Sequence, residues 1–136
     1  MKPPRQETVV KNMPIPEEWQ GRPVSLIDVL LRIRQEHARG RPLGFFFRGM
    51  ETTDAVASFE TGYQACSRYN GIEDTRYEAF KDWLLQMKRE TSSEGWHKTY
   101  LVEFSGDHSK AIQKHLDLVA EFVAQEPSSA PSNTGG

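Results

Sequence analysis

The chain of 136 residues has the length and composition of one folded domain. Hydrophobic residues make up 37% and charged residues 26% of it, close to globular averages. Its apolar runs fall well short of the roughly 18 to 20 residues needed to cross a bilayer. The first residues also lack the apolar core of a signal peptide. These features predict a cytoplasmic protein that does not bind a membrane.

Composition divides the chain into three parts. Residues 1–17 contain four prolines and few apolar side chains, which predicts an extended Pro-rich arm. Residues 125–136, with two prolines, three serines and a terminal Gly-Gly, are typical of a flexible tail. Residues 18–124 are therefore expected to form a single globular helical domain.

The first helix is predicted to begin after Ser25, whose side chain can cap it, and to run to about Ala38. Gly40 and Pro42 then stop it. Its apolar positions recur at spacings of three and four, which predicts one buried face. These positions are Leu26, Val29, Leu30, Ile33 and His37.

The segment 43–49 is a short aromatic run between turn residues, and it favours a short strand. The only other segment with comparable strand propensity is 99–104. The fold class predicted from the whole pattern is mainly α, a compact bundle of four to five helices with disordered N- and C-terminal arms. The alternative is an α+β fold with a short two-stranded sheet from 43–49 and 99–104.

A second helix is predicted from Thr53 to Tyr69, ended by Asn70 and Gly71. Cys66, the only cysteine, falls on its apolar stripe, so we expect a small core residue rather than a nucleophile. A lone cysteine excludes an intramolecular disulfide and suits a reducing compartment. The stripe consists of Val56, Phe59, Tyr63, Cys66 and Tyr69.

Three further helical segments complete the predicted bundle. One begins with Thr75 as N-cap and Glu78 as its capping-box partner, and we expect it to bury Tyr77, Phe80, Leu84 and Met87. Trp96 to Phe104 favours a short helix over a strand. The last helix is capped by Asp107 and runs to about Ala124. Its buried face is predicted to contain Ala111, Ile112, His115, Leu116, Val119, Phe122 and Val123.

No motif of catalytic chemistry stands out. His108 and His115 lie two helical turns apart, about 10.5 Å along the axis, which is too far for both to bind one zinc ion. Neither a Gly-x-Ser-x-Gly turn nor a phosphate-binding glycine loop occurs. Ser105 to His108 gathers a hydroxyl, a carboxylate and an imidazole, but its simplest role is to begin a helix. We therefore expect no metal, no cofactor and no catalytic residue that the sequence can name.

Charge is unevenly distributed along the chain. Residues 1–50 carry nine Lys or Arg against five Asp or Glu, a net charge of +4, while residues 51–136 carry eight against fourteen, a net charge of −6. The isoelectric point near 6.1 argues against nucleic-acid binding. Our candidate binding residues are the arginines of the basic part, namely Arg32, Arg34, Arg39, Arg41 and Arg48.

These features predict a small bacterial protein-binding module that acts through a charged surface, of the immunity, antitoxin-like or adaptor type. Complementary charge improves encounter rate and partner discrimination, so a protein partner is expected. One alternative is an enzyme whose site assembles from distant residues around Arg48, His97 and His108. Another is a structural subunit of an oligomer, which would expose an apolar patch.

Overall fold

The computed structural model describes residues 15–89 and 95–127, which form a bundle of five α-helices. The helices are α1 (Leu26–Ala38), α2 (Thr53–Tyr69), α3 (Thr75–Trp83), α4 (Trp96–Glu103) and α5 (His108–Gln125). Short 3-10 turns occupy Glu17–Trp19 and Leu43–Phe45, and α3 continues directly into a π turn at Leu84–Lys88. The predicted mainly α bundle is confirmed. The predictions for residues 1–14 and 128–136 lie outside the described residues.

The last helix lies at the centre of the bundle. α5 contacts each of the other four helices, and α2 also packs against α4. Because its apolar residues recur at helical spacing, α5 buries a broad face in the core, in agreement with the sequence pattern. Residues fully or almost fully buried on α5 are Ala111, Ile112, His115, Leu116, Leu118, Val119 and Phe122. Within the described ranges, no helix is both long and apolar enough to span a membrane.

The side chain of Asp74 accepts hydrogen bonds from the N-termini of two helices, α1 and α3. Its Oδ1 accepts from the backbone N–H of Tyr77 (3.1 Å), which caps α3, and its Oδ2 accepts from the N–H of Leu26 (2.7 Å) at the start of α1. The Ser25 hydroxyl, itself the predicted cap of α1, donates to Asp74 Oδ1 (2.8 Å). The predicted cap at Thr75 was wrong by one residue, because the carboxylate of Asp74 reaches the orphan N–H groups of both helices.

The predicted strand at 43–49 is wrong, and so is the α+β alternative. Leu43–Phe45 is a 3-10 turn, 99–104 belongs mainly to α4, and the described part of the chain contains no strand. The aromatic run is instead folded back on itself. The N–H of Gly49 donates to the carbonyl of Gly44 (2.7 Å), which a strand could not allow. The prediction of a helix rather than a strand at Trp96–Phe104 is confirmed.

The π turn changes which residues face the core after α3. Tyr77, Phe80 and Leu84 are buried as predicted, but Met87 is 70% exposed. A π turn makes i to i+5 hydrogen bonds, so it shifts the register on which a 3.6-residue pattern depends. The turn ends at Arg89, which takes the left-handed backbone conformation (φ 54°).

The expectation that Cys66 is a core residue is also wrong. Cys66 is exposed, and Tyr69, one turn further along α2, is 90% exposed. The buried residues of this helix are Thr53, Val56 and Glu60, all in its first half. The apolar spacing continues beyond the part of α2 that the other helices cover, so periodicity alone overestimated the buried length.

Candidate functional site

The predicted basic cluster is divided by internal ion pairs. Arg34 Nε pairs with Asp117 of α5 (2.9 Å), whereas Arg39 and Arg41 both pair with Glu36 (3.2 and 3.3 Å). Arg32 is half-buried on α1. Among the five candidate arginines, Arg39 and Arg41 thus share the carboxylate of Glu36, and Arg34 pairs with a different helix.

A closed turn lies directly after these arginines. The backbone N–H groups of Phe46, Phe47 and Met50 donate to carbonyls three residues earlier, at 3.0 to 3.2 Å. A carboxylate oxygen of Glu51 accepts from the N–H of Gly44 (3.1 Å). A Cβ on Gly44 would lie 3.1 Å from the Cα of Gly49, so two glycines permit this close backbone approach. Hydrogen bonds within the turn thus define its shape.

One phenylalanine fixes the turn to the core while another faces outward. Phe47 is buried and packs edge-on against Phe59 of α2 (ring centroids 5.5 Å). Phe45 is exposed, and the Arg41 guanidinium lies over its ring at 4.4 Å. We use the name turn surface for the half-buried Arg41 together with the exposed residues Phe45, Arg48 and Met50.

Arg48 has an unusual backbone conformation. Its φ is 59°, in the left-handed region that side-chain-bearing residues rarely adopt, and Gly49 follows at φ 81°. The side chain is exposed, and no ion pair joins it to the residues that the structure describes. A strained residue of this kind persists only where the surrounding structure determines it, as the closed turn does here.

Two of the three residues in the enzyme alternative converge at the start of α2. His97 Nε2 lies 3.8 Å from the Asp54 carboxylate, and His108 Nδ1 accepts from the backbone N–H of Thr53 (3.1 Å). No contact of Arg48 with either histidine is seen in the described ranges. The His108 contact joins the first residue of α5 to the first residue of α2. The enzyme interpretation around these residues stays a prediction.

A different group of polar residues is buried in the core. Glu60 of α2 is 3% exposed and His115 of α5 is 1% exposed, and their side chains meet at 2.5 Å between Oε2 and Nε2. Trp96 Nε1–H donates to Glu60 Oε1 (3.1 Å), and the Tyr77 hydroxyl donates to the same oxygen (3.4 Å). We call Glu60, Tyr77, Trp96 and His115 the buried polar cluster. It links four of the five helices.

The geometry of the cluster assigns donors and acceptors. Glu60 Oε1 accepts from two donors, the Trp96 indole N–H and the Tyr77 hydroxyl, and Glu60 Oε2 faces His115 Nε2. Because a carboxylate oxygen accepts, we assign the proton to Nε2, which makes His115 the third donor to Glu60. Burial and the nearby Glu60 charge raise the pKa of Tyr77 well above its ordinary value, which keeps its hydroxyl protonated as a donor.

The second nitrogen of His115 lacks a partner. Nδ1 is buried and makes no hydrogen bond within the described part of the chain. The indole of Trp96 stacks on the imidazole with ring centroids 3.8 Å apart and an interplanar angle of 3°. This stacking fixes the plane of the imidazole, so Nδ1 has a defined direction. A buried polar atom without a partner is uncommon and calls for an explanation.

A cavity of about 160 Å³ adjoins the cluster. Its walls are mainly aromatic and aliphatic, and three of the four cluster residues contribute to them. The lining residues are Tyr77, Phe80, Lys81, Leu84, Gly95, Trp96 and His115. Among the described residues, no group of three or more His, Cys, Asp or Glu could hold a metal ion. The cavity is thus a small, mainly apolar space beside the buried polar cluster.

Sequence reasoning missed the cluster but contained a signal for it. His115 was predicted on the buried face of α5, and that prediction is confirmed. Glu60 follows Val56 by one helical turn, on the face that α2 buries. A carboxylate on an apolar face is almost never fully buried without a partner. The position of Glu60 therefore indicates that a basic side chain is buried beside it. Which histidine would meet it could not be read from spacing.

No family model, no curated protein and no solved structure matches this chain.

Proposed function

We propose that this protein is a cytoplasmic protein-binding module of the bacterial immunity, antitoxin-like or adaptor type, and that the turn surface contacts its partner. The observation that carries the proposal is the exposed Arg48 in a left-handed conformation within a closed turn. Glycine would fit this position without strain. An arginine there costs stability, so its presence favours a role for the side chain outside the folding of the domain.

The composition of the turn surface supports the same function. Arginine, aromatic residues and methionine are enriched at protein interfaces, and arginine and tryptophan or tyrosine dominate binding energy there. Arg41 stacks on Phe45, so a cation and an apolar ring are presented together. The backbone hydrogen bonds of the turn reduce the conformational entropy that would be lost on binding.

The charge of this segment indicates the chemistry of the partner. Residues 1–50 carry nine Lys or Arg against five Asp or Glu. Arg34 pairs with Asp117, and Arg39 and Arg41 share the one carboxylate of Glu36, which leaves that group with a net positive charge. Arg48 is exposed without an ion pair to the described residues. The partner we propose is a protein with an acidic surface surrounding an apolar pocket that accepts Phe45. Such complementarity raises association rates and is weakened by salt.

The test is affinity capture from a lysate of the source organism with four forms of the tagged chain. These are the unmodified protein, Arg48→Gly, Arg48→Glu and Ser105→Gly. Arg48→Gly removes the side chain and relieves the backbone. We therefore expect it to leave the free energy of unfolding unchanged or raise it by up to about 1 kcal/mol, while partner capture falls. Arg48→Glu reverses the charge and is expected to abolish capture.

Ser105→Gly is the matched control. Ser105 is exposed, has φ 55° and precedes Gly106 at φ 88°, almost the same backbone as Arg48 before Gly49. It therefore reproduces the relief of strain at a different place. The proposal is supported if a partner is lost with both Arg48 variants and at high salt but kept with Ser105→Gly. It is wrong if Arg48→Glu captures the same partner as the unmodified protein, or if no salt-sensitive partner is captured.

A further inference from the structure

The end of α2 contains a chemically labile pair of residues, Asn70 and Gly71. Of the three asparagines in the chain, only Asn70 precedes a glycine, whose missing side chain leaves the peptide nitrogen unhindered. In deamidation, this nitrogen loses its proton and bonds to Cγ of Asn70, the Cγ–Nδ2 bond breaks, and ammonia leaves. Water then opens the resulting succinimide to aspartate or isoaspartate. Both residues are exposed, so water and hydroxide can reach them.

The folded chain holds the attacking nitrogen in place. Gly71 N–H donates to the carbonyl of Arg68 (3.0 Å), and Ile72 N–H donates to the carbonyl of Ser67 (2.9 Å). Together with the left-handed backbone of Gly71 (φ 73°), these two hydrogen bonds form a Schellman motif. The nitrogen that must lose its proton and attack is therefore fixed by the structure that ends the helix.

The leaving group of the reaction is held as well. Asn70 Nδ2 donates to the carbonyl of Cys66 (2.8 Å), one turn earlier in α2. The side-chain amide is therefore directed back along the helix, whereas the reaction requires Cγ to approach the nitrogen that follows it. Opening of the helix end releases this amide and the Gly71 N–H together.

We propose that Asn70 is a deamidation site that the folded end of α2 protects and that local opening of this end exposes. The side chain that keeps the end closed is Ile72, which is half-buried and lines one small cavity with Val24 and Tyr63. An apolar contact at this position frequently accompanies a Schellman motif. The site is separate from the turn surface and does not depend on the proposed function.

Deamidation changes the connection between α2 and α3 permanently. Isoaspartate directs the main chain through Cβ and Cγ, which adds a methylene group before Gly71 and leaves a free α-carboxylate. The altered connection leads directly to Asp74, whose side chain accepts from the N-termini of α1 and α3. A chain that has opened here therefore carries a covalent record of the opening, in its charge and in its backbone length.

The test compares the loss of Asn70 in the full folded chain and in a short peptide of residues 66–76, in the same mildly alkaline buffer. A brief tryptic digest releases the fragment 69–76 from both, and this fragment contains no other side-chain amide. Its change from the mass of an amide to that of an acid therefore reports Asn70 alone. Opening breaks at least two exposed hydrogen bonds, so we expect the folded chain to react about tenfold more slowly than the peptide.

Two variants locate the protection. Ile72→Ala removes the apolar contact of the helix end and is expected to bring the rate in the folded chain severalfold closer to the rate of a peptide with the same substitution. Leu101→Ala is the matched control, because it truncates a half-buried side chain of equal size on α4 and leaves the end of α2 intact. Its rate should equal that of the unmodified chain.

The unmodified chain decides the question even if Ile72→Ala does not fold. Equal rates in the folded chain and the peptide would overturn the protection, and no loss of Asn70 in either would overturn the site. Products without isoaspartate, which chromatography separates from aspartate, would exclude attack by the Gly71 nitrogen. The role of the helix end would be overturned if Ile72→Ala reacted as slowly as the unmodified chain, or if Leu101→Ala reacted as fast as Ile72→Ala.

Discussion

Replacing Asp74 with alanine should destabilise the protein more than any other single loss of a helix cap. The substitution removes the acceptor of Tyr77 N–H at the start of α3 and of Leu26 N–H at the start of α1. It also removes the partner of the Ser25 hydroxyl. No other residue in the described ranges caps two helices.

The magnitude follows from the number of groups left without a partner. Losing the N-cap of α3 costs about 1 kcal/mol. In α1 the Ser25 cap remains, but the N–H of the fully buried Leu26 loses its acceptor, and an unsatisfied buried donor costs about 1 to 3 kcal/mol. We therefore expect Asp74→Ala to lower the free energy of unfolding by about 2 to 4 kcal/mol.

Urea denaturation followed by circular dichroism measures this loss, with Asp107→Ala as the control. Asp107 is exposed and caps only α5, through the N–H of Lys110 (3.1 Å). Its replacement should cost about 1 kcal/mol. If the two variants lost equal stability, the double cap at Asp74 would contribute nothing beyond an ordinary one, and the reasoning would be refuted.

Two other consequences of the structure can be measured directly. Because burial and the Glu60 charge raise the pKa of Tyr77 above its unfolded value near 10, folding stability should be fully present below about pH 10 and fall above it. In Tyr77→Phe, the free energy of unfolding measured by urea denaturation should fall less steeply with pH above about pH 10. An unchanged pH dependence would contradict the raised pKa of Tyr77. Burial also raises the pKa of Tyr63, so part of the slope should remain in Tyr77→Phe. Cys66 is exposed, so a thiol-specific reagent should label it in the native protein nearly as fast as in urea, whereas labelling that waits for unfolding would place it in the core.

The helices could be predicted from the sequence where caps and periodicity agree. α1 and α5 have an N-cap residue, Ser25 or Asp107, directly before an apolar stripe, and both begin where predicted. These are local signals that a short window contains. The π turn escaped prediction because it changes the spacing on which the pattern depends, and Met87 was assigned to the wrong face as a result.

The candidate sites could be predicted only in part, because their contacts join distant parts of the chain. Glu60 and His115 are separated by 55 residues, and Leu26 and Asp74 by 48. Nothing in local spacing specifies such pairs. The strand predicted for 43–49 was wrong for a different reason. The aromatic run has strand propensity, but Gly44 and Gly49 allow the backbone to close on itself, and this tertiary contact overrides the propensity.

The central place of α5 affects how the protein forms during synthesis. α1 to α4 leave the ribosome first, yet each of them packs against a helix made after them. Until α5 has been synthesised, the apolar faces of α1 to α4 cannot all be buried. They are then exposed to chaperones and to aggregation with other nascent chains. We therefore expect the core of this bundle to form only after α5 has been synthesised.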